Sequence, residues 1–92
     1  MIEILCEKVS RGMREVDAIA TVRDYHGRRH FLNIEKDFLT PHDSRWALPV
    51  GLVHRDPGTG AVLIEFPQEA ETGVNRIWVR AEDVVGDSEV TA

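Results

Sequence analysis

The chain has 92 residues, 42% of them hydrophobic and 29% charged, and a formal net charge of −5. That balance describes one small globular domain with a single thin core, and it excludes a disordered chain. No apolar run approaches the roughly 20 residues that span a bilayer. The single cysteine, Cys6, leaves no internal disulfide, and no basic stretch precedes an apolar segment at Met1–Leu5. A cytoplasmic, reducing setting without a signal peptide is therefore expected.

The charge is uneven. Residues 1–36 hold seven Lys/Arg against six Asp/Glu, and residues 37–92 hold four against ten. A negative chain repels phosphate backbones at long range, which disfavours nucleic acid as a partner. The one local basic cluster is Arg23, Arg28 and Arg29, with His26 and His30 beside it. Its ordinary role is to keep a hairpin tip solvated.

In chain order, Ile2, Ile4 and Cys6 alternate with Glu3 and Glu7, which predicts a short strand over Ile2 to Lys8. Ser10 to Asp17 is charged, contains Gly12 and reads as a loop. A hairpin follows, with its turn at Asp24-Tyr25-His26-Gly27. Aspartate suits the first position because its carboxylate accepts nearby backbone N–H groups, and glycine suits the fourth because it takes positive φ without strain. The register then pairs Val22 with His30 and Ala20 with Leu32. It sets Ala20, Val22, Leu32 and Ile34 inward, with Thr21, Arg23, Asn33 and Glu35 opposite.

Asp37 to Trp46 reads as the longest irregular piece, with Thr40 capping one helical turn that begins at Pro41. Leu48 to His54 is a strand entered through Pro49, which argues for an edge position there. Asp56-Pro57-Gly58-Thr59-Gly60 is a turn, and Ala61 to Phe66 is an apolar strand stopped by Pro67. Gln68 to Asn75 is a polar loop. Arg76 to Arg80 alternates, with Ile77 and Val79 inward. Ala81 to Val85 is a short turn, and 86–92 is a flexible tail. Five or six short antiparallel strands without a long helix predict an all-β fold, a small SH3-like barrel over residues 1–85.

Val50-Gly51-Leu52-Val53, Ala61-Val62-Leu63-Ile64-Glu65-Phe66, Thr72-Gly73-Val74-Asn75 and Ala81-Glu82-Asp83-Val84-Val85 form one series. It resembles the small peripheral SH3-like subunits of photosystem I, with their VGxV strand, SGVN loop and AEDEL ending. The resemblance covers about residues 50–85 and implies the fold. It implies no docking residue, because the insert before Val50 departs from that family and because such barrels host many functions.

No motif specifies a reaction. The four histidines and Cys6 lack metal-ligand spacing, so no metal or other cofactor is expected. Ser10, Ser44 and Ser88 lack a nucleophile-elbow context, and Cys6 falls on an inward face. Glu65, Glu69 and Glu71 read as a solvated face. No catalytic residue is assigned. More informative is the outward parity of the second half, where Val53 and Leu63 are apolar and Trp78 stands between Arg76 and Arg80. An apolar outer face is covered either by the chain itself or by a partner. The N-terminal strand and residues 37–47, through Phe38 or Trp46, are the internal candidates. The sequence thus points to a non-enzymatic binding or assembly module that contacts a protein partner or a second copy through Val53, Leu63, Arg76, Trp78 and Arg80. The alternatives are a nucleic-acid-binding barrel using Arg23, Arg28 and Arg29, and a small accessory subunit of an electron-transfer or other enzyme complex.

Overall fold

Hydrophobic alternation becomes strand pairing throughout residues 2–85, the part of the chain that the computed structural model describes. The strands among them are β1 (Ile2–Leu5), β2 (Lys8–Arg11), β3 (Asp17–Arg23), β4 (Arg29–Glu35), β5 (Thr40–His42), β6 (Arg45–Arg55), β7 (Val62–Glu65), β8 (Arg76–Val79) and β9 (Val84–Val85). Two single 3-10 turns, Lys36–Phe38 and Ala81–Asp83, separate some of them. One antiparallel sheet runs β8-β7-β6-β1-β9, with β5 also on β6, and the other runs β2-β3-β4. The fold is all-β, with nine short strands where five or six were expected. The tail expected over 86–92 lies outside the described residues.

The β3–β4 hairpin follows its turn chemistry. Val22 faces His30 and Ala20 faces Leu32, and the register stays regular from Asp17↔Glu35 to Arg23↔Arg29. The Asp24 carboxylate accepts the N–H groups of His26 and Arg28, each at 2.9 Å, and Gly27 has φ +87°. Ala20, Val22, Leu32 and Ile34 are buried in the core with Ile4, Leu48, Val62, Ile64 and Val79. Thr21, on the opposite face, is also buried.

Two segments correct the reading of the sequence. Residues 8–11, expected partly as loop, form β2, which pairs with β3 from Lys8↔Thr21 to Arg11↔Ala18. The strand carries Lys8 and Arg11, so its apolar pattern is weak, as is usual where charge protects a sheet edge. Gly12 then turns the chain so tightly that a Cβ there would lie 2.6 Å from Asp17 Cβ. The turn is tied by Arg14, whose Nε and Nη2 donate to the Asp17 carboxylate at 2.9 and 3.0 Å. The second correction is at 40–42, which is β5 and not a helical turn: it pairs back onto β6, with Asp43 at φ +56° in the connection. Aspartate tolerates that region better than most residues, and Pro41 is tolerated on a short outer strand.

Pro49 sits at a local gap. It faces Glu3 of β1, while on the other side of β6 the β5 pairing stops at Ala47 and β7 starts at Gly51. Cys6 N–H donates to Trp46 O, so by antiparallel alternation the even residues of β6 bond toward β1. The missing N–H of Pro49 therefore points into the gap, where no strand needs it. Beyond the gap the β6–β7 register slips between Leu52 and His54, leaving Val53 as an extra residue.

Candidate interaction surface

The outer face of β6–β8 holds one cross-strand row. Leu63 pairs with Trp78 on one side and with His54 on the other. Val62, Ile64, Ile77 and Val79 on the same strands are buried, so alternation leaves Leu63 and Trp78 on the outer side. The His54 ring meets the Trp78 indole edge-on, with centroids 6.1 Å apart, and Trp78 remains 36% exposed. Of the expected internal covers, Phe38 lies beside Val53 in the groove described below. β1 is a member of the sheet and not a layer over it. Trp46 lines a shallow depression with Val9, Ala18 and Leu39.

The flanking arginines are already engaged. Arg76 donates from Nε to Glu65 Oε1 at 3.1 Å, and its Nη2 lies 3.1 Å from the same oxygen in an ion pair. The Arg80 guanidinium lies 5.6 Å from the Tyr25 ring centroid, a cation–π contact. Arg76 is thus paired with a carboxylate, whereas Arg80 rests on an aromatic face and keeps its charge.

Val53 belongs to a different feature. With Leu52, Phe38, Pro49, Phe66 and Pro67 it lines an open groove of about 510 Å3 over the gap in β6. Phe38, Leu52 and Val53 are 49%, 47% and 39% exposed. Glu65 is the one charged residue among the groove's lining, and Arg76 already pairs with it. A charged group entering the groove would lose hydration and find no free counter-charge, whereas an apolar side chain loses nothing. Sequence parity placed Leu52 inward with Val50. Val50 is buried, but the bulge that follows leaves Leu52 exposed at the groove. Gly51 inside an apolar run was the available signal, since glycine within a strand often marks a bulge.

The basic hairpin is neutralised in part, by a single carboxylate. Arg29 Nε and Nη2 donate to the two oxygens of Glu7 at 2.7 and 3.2 Å, and Arg23 lies 3.6 Å from the same carboxylate. The hydrogen bond from Arg29 is the main reason that the Glu7 carboxyl is held below its usual range; loss of hydration opposes it, and the charges of Arg29 and Arg23 add to it. Arg28 is exposed and makes no ion pair among the described residues. A phosphate at this tip would have to displace Glu7 from two of the three arginines.

Behind the tip, His30 is 3% exposed and fully bonded. Its Nε2 is 2.9 Å from Asp24 Oδ2 and its Nδ1 is 2.8 Å from Thr72 Oγ1. Burial pushes the Asp24 carboxyl up, but the bonds from His30 and from the Arg28 and His26 N–H groups outweigh it and leave the net shift downward. An ionised carboxylate only accepts, so the ring carries its proton on Nε2 and, when neutral, takes the threonine O–H at Nδ1. Cys6 is buried and its thiol is pushed up to about 11, so it is protonated and a poor nucleophile at neutral pH.

Among the described residues, no three His, Cys, Asp or Glu side chains are grouped to hold a metal ion. Nor is any helix among the described residues long and apolar enough to cross a membrane. Comparison with family models, with curated proteins and with solved structures finds no match to this chain.

Proposed function

We propose that the protein is a non-enzymatic, SH3-like β-barrel module of the cytoplasm that binds another protein through the apolar groove at Phe38, Leu52 and Val53. The observation that supports this reading is the groove itself: about 510 Å3, walled by aromatic and proline side chains, with no free charge in its lining. Exposed apolar surface of this kind is retained where a partner covers it. The partner supplies uncharged aliphatic or aromatic side chains. The Leu63–Trp78 row, which shares β6 and β7 with the groove, extends the contact, because a half-exposed tryptophan combines large area with a directional N–H. A second copy of the chain is one form such a partner can take.

Val53→Glu and Trp78→Ser separate this reading from a purely structural one. Both residues are at least 36% exposed, so both variants should fold. Sedimentation of the wild type across concentration, and capture of bound protein from the native host, give the reference. The reading requires an association that Val53→Glu abolishes and that Met13→Glu, at an 87% exposed position outside the groove, leaves intact. Association that is equal in all three, or whose affinity falls steeply with salt and depends on Arg28, would replace it with nucleic-acid or charge-driven binding.

A further inference from the structure

The segment 67–75 joins β7 to β8 and lies across the outer edge of β4. Four of its features are specific. Gln68 Nε2 donates to Asn33 O at 2.8 Å. Glu71 N–H donates to Phe31 O at 2.8 Å. Thr72 Oγ1 bonds His30 Nδ1 at 2.8 Å. Ala70 is 4% exposed and packs into the core. The segment is thus tied to three of four consecutive residues of β4, and it begins at Pro67, a wall of the apolar groove. Phe66, the neighbouring wall residue, has its ring centroid 6.3 Å from that of His30. One buried side chain therefore touches both the segment and the groove wall.

We infer that residues 67–75 are a strap, latched by the His30–Thr72 bond, and that this latch sets the position of the Phe66–Pro67 wall of the groove. The regulatory meaning of the strap rests on the groove being the binding surface; the mechanical claim does not. The groove has two walls of different stiffness. Phe38 stands on a 3-10 turn continuous with β4. Phe66 and Pro67 follow the end of β7, and the next eight residues lack strand pairing of their own. The Phe66 ring is buried in the core, and its N–H bonds to Asn75 O at the far end of the strap, so the core and the strap together hold that wall. Thr72 is an exposed residue of a loop, yet its hydroxyl is turned onto a sealed ring. Without the hydroxyl, Nδ1 would be a buried acceptor lacking its partner, a condition that favours local opening over the closed strap.

The test is Thr72→Val, which keeps the shape and removes the hydroxyl, read by amide hydrogen exchange and backbone NMR shifts on the full chain. The Glu71 amide, whose bond to Phe31 O reports strap closure, should exchange about tenfold faster, the equivalent of about 1.4 kcal/mol of local stability. The amides of Phe66, Leu52 and Val53 should shift with it. Those of Ser10 and Arg11, on β2 at the opposite edge of the β4 sheet, should not. Thr72→Ser, which restores the hydroxyl, should return exchange to within about twofold of wild type. Unchanged Glu71 exchange, or changes confined to residues 70–74 with Leu52 and Val53 unmoved, would overturn the strap. Binding lost through Val53→Glu while the strap fails this test would leave the groove assignment standing and remove only its control.

Discussion

Two hairpins, each opened by an aspartate, behave differently. In β3–β4 the Asp24 carboxylate binds two turn N–H groups, and the register runs without a slip for seven residue pairs. In β6–β7 the Asp56 carboxylate does similar work, accepting from Gly58 N–H and from the Thr59 hydroxyl at 3.2 and 2.7 Å. That ladder nevertheless slips at Val53, within a few residues of the turn. The difference lies beyond the turns. Asp24 also holds His30 inside the core, so its turn is coupled to the core; Asp56 is tied only within its own loop. Turn chemistry sets register near a turn, and core contacts decide whether that register persists.

The strongest way to break the comparison is Asp24→Ala. It removes the acceptor of two turn N–H groups and leaves a buried imidazole N–H unpaired, for an expected loss of about 3 kcal/mol in denaturant unfolding. The matching Asp56→Ala should lower the melting temperature by much less, because its partners are reached by water. Equal losses would show that His30 adds nothing to its turn. Gly27→Val comes next, at about 2 kcal/mol, because a β-branched residue is strained at φ +87°. An unaltered melting temperature would disprove the turn geometry.

A smaller effect is expected from acid. The Asp24 carboxyl is depressed in the folded chain, so its contribution is complete above the ordinary carboxylate value, about 3.9, and is lost as pH falls through the depressed one. Asp24→Asn should therefore lose less of its stability than the wild type between about pH 4 and pH 2 in acid-unfolding curves. Parallel curves would mean that the paired carboxylate adds no pH-dependent stability. The smallest expected change is in folding of Val53→Glu, within about 0.5 kcal/mol of wild type because the side chain is exposed. A larger loss would show that the bulge residue supports the core.

Much of the fold could be read from residues 18–34 and 61–79, where alternation has one buried face and the turns carry Asp and Gly. Less could be read where a strand sits at an edge. Lys8–Arg11 and Thr40–His42 have little apolar pattern, since one neighbour and solvent replace two buried faces. The site was legible in part: Leu63 and Trp78 follow from parity, and Val53 was singled out as exposed. Phe38 was named as a cover for that face, but its meeting with Leu52, Phe66 and Pro67 in one groove was not legible, because they meet only across the gap between β5 and β7. The ion pairs of Arg23, Arg29 and Arg76 were not legible either, since Glu7 reaches the first two from the β1–β2 connection and Glu65 reaches the third from β7.

The sequence by itself determined the all-β class, the β3–β4 turn and register, and the inward set from Ala20 to Ile34. These depend on contacts a few residues apart and on the two-residue period of an extended chain, so local chemistry is enough. Only the tertiary structure decided that β1 joins the sheet beside β6, that Val53 bulges, that Phe38 walls a groove, and that Thr72 reaches His30 across 42 residues. Those features come from segments distant in the chain competing for the same space. No local period records which segment wins a position whose occupant is chosen by packing and by the need to pair buried polar groups.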